Sequence, residues 1–294
     1  MQYLNEYLYH LEKEKHMSDN SIEAYKRDII NFGNFLNDRG ILRADEVSNA
    51  DVVSYMLGLK KNGKSAATAN RKISSIRAYF SFLQKKGLVS LNPTDNIKSP
   101  RIEHKDIEFL SLEEVDRLLS LPDESPKGIR DRAILELMYA TGIRARELVE
   151  ANVSDLNMRI GFITCTGEHG KARIVPIGRP ARAALETYLY EVRPQLLKGN
   201  EESNALFVNY AGERLSRQGL WKILKEYADK AGMESKITPQ TLRNTFAAHM
   251  AQNGADLRSL QELMGHEDIS ATQVYYTLTK NRIKDVYDNA HPRA

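Results

Sequence analysis

Apolar residues recur at helical spacing through the first hundred positions. Tyr3, Tyr7, Leu8 and Leu11 form one stripe. Ile22, Tyr25, Ile29, Phe32, Phe35 and Leu36 form a second, behind the cap candidates Ser18 and Asn20. A third, shorter helix is predicted from about Asn49 to Lys60, and a fourth opens near Ser65 and stops at Gly87. In that fourth helix Ala69, Ile73, Ile76, Phe80 and Leu83 share one face, while Lys64, Arg71, Ser75, Ala78 and Lys85 fall nearly opposite. Such a helix can pack on its own domain and bring a basic, small-residue face close to a phosphate backbone.

The pattern breaks at Asn92-Pro93 and Ser99-Pro100, followed by the charged run RIEHKD. This predicts an N-terminal helical domain over 1–100, a linker over 101–108 and a second domain over 109–294. The second domain opens with a capping box, Ser111 to Glu114. A helix from about Gly128 to Ala140 ends at Thr141-Gly142, and another follows with Arg144 in its first turn. Residues 159–165 and 173–177 read as a β-hairpin turning around Gly167–Gly170. Thr238-Pro239 starts a helix ending at Gly254, Asp256 caps the next as far as Gly265, and a short one runs from Ser270 to Tyr275. The predicted class is mainly α: a four-helix N-terminal unit, then an α-rich unit carrying a small β-hairpin.

Composition narrows the function classes. No apolar run approaches the roughly 20 residues that span a bilayer, and the opening MQYLNEYLYHLEKEKH reads as a helix rather than a signal peptide. Cys165 stands alone, so no intramolecular disulfide and no cysteine metal cluster is expected, and a cytoplasmic location fits. The net charge of +3 says little, but its distribution says more. Between Lys60 and Arg101 there are ten basic residues and one acidic residue, Asp95. A one-sided stretch of this kind points to a polyanion, with Lys64, Arg71, Lys72, Arg77 and Lys85 as candidate DNA contacts; a solubilising surface is the plainer alternative.

Cutting and rejoining DNA without a metal or nucleotide needs a nucleophile for phosphorus, cationic donors for the nonbridging oxygens, and an acid for the leaving 5′ oxygen. Arginine suits the second role, because its planar fork stays charged and gives two hydrogen bonds to a phosphate. Tyrosine, with an ordinary pKa near 10, can be the nucleophile in a cationic site. The segments ATGIRARELVEANVSDLN and TPQTLRNTFAAHMAQNGADLRSLQELMGHEDISATQVYY contain such a set in order. Together with ARIVPIG and the tail KDVYDNAHPRA, they resemble the tyrosine recombinase family, most closely its Xer branch. The resemblance implies that Tyr275 attacks the scissile phosphate to form a 3′-phosphotyrosyl link. It implies that Arg144 and Arg243 clamp the nonbridging oxygens and that His266 donates to the phosphate. No cofactor or metal is implied. Partners would be double-stranded DNA with a specific site and either three further copies or a second recombinase, in chromosome dimer resolution or mobile-element movement. The tail from Asn281 to Ala294 would dock on a neighbouring protomer. Tyr276 is read as structural.

Two positions depart from the family pattern. Gln240 stands where a histidine is usual, three residues before Arg243, and Asn244 follows that arginine where histidine is again common. Glutamine hydrogen-bonds a phosphate but moves no proton near neutral pH. In the hairpin, alignment from Arg173 and Val175-Pro176-Ile177-Gly178 puts Glu168 at the family's acid lysine, with Lys171 as the nearest substitute. Loss of a general acid costs about 100- to 10,000-fold in rate. The alternative reading is therefore a DNA-binding accessory homologue that cuts weakly.

Overall fold

The computed structural model describes residues 3–98, 107–167, 170–197, 199–200, 202–233 and 237–276. Glu168, the linker residues 101–106 and the tail Asn281–Ala294 lie outside the described residues. The chain divides into two compact units, Met1–Lys105 and Asp106–Ala294.

The first unit contains α1 (Leu4–Lys13), α2 (Asp19–Asn37), α3 (Asn49–Lys61) and α4 (Ala66–Lys85). Side-chain caps start two of them: Ser48 accepts from the Asp51 amide and Ser65 from the Thr68 amide. The apolar stripes meet in one core of Tyr7, Leu11, Ile29, Phe32, Val52, Tyr55, Ile73, Ile76, Phe80 and Leu83. Phe32 and Tyr55 meet edge to face at 5.1 Å.

The polar face of α4 needs correcting. Ser75 is fully buried and Lys72 nearly so. Both bind Asp28 of α2, itself buried, with Lys72 Nζ at 3.1 Å and Ser75 Oγ at 3.0 Å. Arg71 Nη1 completes the group at 2.5 Å. A carboxylate removed from water needs such partners, and α4 supplies them from Arg71 and Ser75 of its predicted polar face and from Lys72, a candidate DNA contact.

The second unit begins with α5 (Leu112–Ser120) and α6 (Pro126–Thr141). Ser125 caps α6 with Pro126 in its first turn, so the helix starts earlier than Gly128. α7 (Ala145–Glu150) follows, and Arg144 is its N-cap residue rather than part of its first turn. Then come β1 (Leu156–Asn157), β2 (Phe162–Thr166) and β3 (Ala172–Pro176). The sheet is antiparallel in the order β1-β2-β3, with Cys165 opposite Arg173, so β1 extends the predicted hairpin to three strands. α8 (Arg179–Thr187) continues through a π turn into α9 (Arg193–Leu197). α10 (Arg217–Ala231), α11 (Pro239–Gln252) and α12 (Leu257–Met264) follow, and residues 270–276 are helical. The core runs from Leu110 and Leu118 through α6, the sheet, α8 and α10 to Leu242 of α11.

Candidate active site

The last carbonyls of a helix have no partner within it and carry its negative end. At the end of α12 three arginines supply the partners. Arg173 Nε donates to Leu263 O at 2.7 Å, Arg243 Nη2 to Met264 O, and Arg144 Nη2 to Gly265 O at 2.7 Å. Arg243 also donates through Nη1 to the Gly142 carbonyl at the end of α6. Gly265 is left-handed, with φ +60°, and a Cβ there would sit 2.9 Å from Arg173 Cδ. Only glycine lets the arginine lie this close to the turn.

Glu147 ties two of these arginines together. Its carboxylate accepts from the Arg144 amide and Arg144 Nη1, each at 2.8 Å, and from Arg173 Nη1 and Nη2 at 2.6 and 2.8 Å. Burial would raise its pKa, but the hydrogen bonds from Arg173 and Arg144 outweigh it and the net shift is downward. The amide that opens α7 is thus already taken by Glu147 and is not a spare anion donor.

Arg243 is buried, and burial first, then the charges of Arg144 and Arg173, lower its pKa to about 10. It still carries its charge at pH 7. His266, directly after Gly265, has its pKa lowered to about 4 by burial, then by Arg243, Arg144 and Arg173. It is therefore neutral at pH 7 and offers one ring N–H. Its Nδ1 lies 2.8 Å from the hydroxyl of buried Thr272, and its carbonyl accepts from Gln261 Nε2 at 3.1 Å.

Tyr275 is only 4% exposed and packs with Phe246, Ala247 and Leu260. Its phenol donates to Asn244 Oδ1 at 3.0 Å. The same oxygen accepts from Gln240 Nε2 at 2.8 Å, and Asn244 Nδ2 donates to Glu108 O at 3.2 Å. Burial raises the Tyr275 pKa, with the charge of Arg243 opposing it. Tyr276 donates its hydroxyl to Ala255 O.

A cleft of 690 Å³ opens beside this cluster, walled by Arg144, Glu147, Lys171, Arg173, His266 and Glu267 among others. Arg243 and Tyr275 are not among its lining residues. Lys171 Nζ bonds Glu267 Oε1 at 2.6 Å, and both side chains are about three-quarters exposed. The structure thus gathers Arg144, Arg243 and His266 at the end of α12, with Lys171 across the cleft and Tyr275 joined to Gln240 through Asn244. Sequence reasoning missed Glu147 and Arg173. The i,i+3 spacing of Arg144 and Glu147 was a usable signal.

Of the basic candidates in the first unit, Lys64, Arg71 and Lys85 are exposed. Arg77 is half-buried and donates to Ile97 O at 2.8 Å, and Lys72 is held inside by Asp28. As placed, Lys72 is spent on the fold and does not offer its charge to a DNA backbone. No helix among the described residues is long and apolar enough to cross a membrane.

Comparison with known proteins completes the picture. The model described as "Phage integrase family" matches residues 108–282, and that described as "Phage integrase, N-terminal SAM-like domain" matches residues 4–87. A protein named tyrosine recombinase XerD from Oceanobacillus iheyensis is 46% identical over 292 residues, covering 99% of this chain and 98% of that one. Its namesake in Listeria innocua is 44% identical over 293 residues, covering 99% of each. The crystal structure of XerA recombinase aligns over all of both chains at 26% identity, with a TM-score of 0.55. A XerH recombinase bound to its palindromic difH substrate aligns over 90% of this chain and 78% of that one, with a TM-score of 0.74 and 21% identity. With both units matched in order and near-half identity end to end, the chain belongs to the phage integrase family of site-specific tyrosine recombinases, on its Xer side.

Proposed function

We propose that this chain exchanges DNA strands at a specific site, with Tyr275 as nucleophile and the 690 Å³ cleft receiving the scissile phosphate. The observation that carries this is the convergence of Arg144, Arg173 and Arg243 on three successive carbonyls immediately before His266.

In this reading the Tyr275 oxygen bonds to phosphorus and the bond from phosphorus to the 5′ oxygen breaks. Arg144 and Arg243 stabilise charge building on the nonbridging oxygens, and neutral His266 adds one N–H. Lys171 gives the leaving oxygen its proton. To do so it must let go of Glu267, and an exposed pair of this kind contributes only about 0–1 kcal/mol. Gln240 holds Asn244 rather than moving protons. Rejoining reverses the steps with a new 5′ hydroxyl, so the phosphotyrosyl bond conserves the energy of the broken linkage.

Both units contact duplex DNA, and in the first Lys64, Arg71 and Lys85 lie against the backbone, with Arg77 joining them once released from Ile97. The outer face of α10 adds exposed Arg217, Gln218, Trp221, Lys222 and Lys225, a helix face suited to reading base edges in a major groove. Four protomers, of one kind or two, hold two duplexes in the cytoplasm, and the similarity to XerD proteins supports chromosome dimer resolution over mobile-element movement. Full-length family matching does not favour a non-cutting accessory role.

The test is a nicked suicide duplex carrying a site selected from random DNA. The expected result is a covalent protein–DNA adduct that is lost in Tyr275→Phe. DNA binding without any adduct would overturn the reading.

A further inference from the structure

Arg173 has no part in the chemistry proposed above, yet all three of its guanidinium nitrogens are committed to the protein. It is 11% exposed. Both Nη atoms grip the two oxygens of Glu147, and its Nε holds the Leu263 carbonyl. Its stem lies against Gly265, a residue that can carry no side chain without striking it. One side chain on β3 thus braces α7 and the end of α12.

Charge explains why this matters. Glu147 lines the same cleft as Arg144. Arg144 and Glu147 alone would sum to zero, and a carboxylate beside a phosphate is repulsive. Arg173 adds the second positive charge, so the trio carries a net +1. It also takes over much of the carboxylate: Arg144 Nη1 and Arg173 Nη1 share Oε1, while Arg173 Nη2 and the Arg144 amide take Oε2. Among the described residues, two of the five N–H donors of the Arg144 guanidinium are engaged, one by Glu147 and one by Gly265.

We infer that Arg173 is a positioning residue: it neutralises and orients Glu147, so that Arg144 faces the phosphate with its charge unspent and the hairpin moves as one with the turn that carries His266. The inference rests on the reading of the cleft as the phosphate site.

The test uses the full-length chain, single-turnover adduct formation at saturating nicked DNA, and NMR titration of His266 without DNA. The imidazole faces Arg243, Arg144 and Arg173, with Glu267 next to it in the chain. Arg173→Gln is expected to slow adduct formation about 100-fold, the scale of a small displacement at a reacting centre. It should also raise the His266 titration midpoint. Adding Glu147→Gln should slow the reaction little further, because the two residues act on Arg144 as one unit and the unbalanced carboxylate is then gone. Arg173→Lys, which keeps the charge but lacks the two-pronged fork, should fall between and leave the midpoint near that of the parent. If the losses from Arg173→Gln and Glu147→Gln simply multiply, or if the midpoint is unmoved in Arg173→Gln, Arg173 is only scaffold. Should Arg173→Gln not fold, Arg173→Lys decides: adduct formation at the parent rate overturns the inference. If the parent chain itself forms no adduct, the functional reading fails, while the DNA-free titration still reports on Arg173.

Discussion

Asp28 and Glu147 are both buried carboxylates gripped by two cations, one in each unit. Their surroundings differ. Around Asp28, Lys72 is buried with its ammonium on the carboxylate, Arg71 adds a 48% exposed guanidinium, and the group welds α4 to α2. Around Glu147, Arg173 is only 11% exposed, while Arg144 is 39% exposed and lines a cleft. Each cluster leaves one cation partly exposed, but only Arg144 stands in the wall of the cleft, so the same motif fastens two helices in one unit and prepares a site in the other.

Removing each carboxylate's charge probes that contrast most strongly. Glu147→Gln should slow adduct formation about 100-fold at saturating DNA, by displacing Arg144. It should also lower stability, because Arg173 loses its partner. Asp28→Asn should cost about 3 kcal/mol in a urea melt, the scale of leaving a buried charge unpaired. Below the transition, its cleavage rate at saturating DNA should stay within about twofold. A large rate defect in Asp28→Asn would erase the distinction between the clusters.

The third effect concerns protonation. With its midpoint lowered to about 4 against an ordinary 6.5, the folded His266 stays neutral where the unfolded chain takes up a proton. This contribution to stability is complete above about pH 6.5 and is lost as pH falls toward 4. An NMR titration should therefore show the His266 ring neutral at pH 5.5, and a midpoint near 6.5 would remove the three arginines from its surroundings. The smallest effect belongs to the exposed pair. Glu267→Gln should change stability by less than about 1 kcal/mol.

The comparison also shows what a sequence can carry. The mainly helical class, the small sheet and most helix limits follow from local signals: apolar spacing, Ser caps, and proline at helix starts. The errors have one cause. Ser75 looks solvent-facing on α4, and Lys72 looks available to DNA, because their partner, Asp28, lies more than forty residues earlier on another helix. Arg173 reads as an ordinary strand residue until the hairpin and α12 bring Glu147 and Leu263 to it. Likewise, the order of Arg144, Arg243, His266 and Tyr275 is visible in the chain, but the bond from Tyr275 to Asn244 exists only after α11 and residues 270–276 meet.

That bond has a consequence for fidelity. A genome offers about a million or more wrong phosphodiesters for each right one. A recombinase that slides along DNA with an exposed phenolate would nick at random. Here the resting phenol is enclosed, protonated and bound to an amide that cannot take its proton. On the proposed chemistry, wrong sites are rejected before any bond is broken. The error rate is then set by how rarely a passing sequence draws Tyr275 away from Asn244, and not by how well a cut can be repaired.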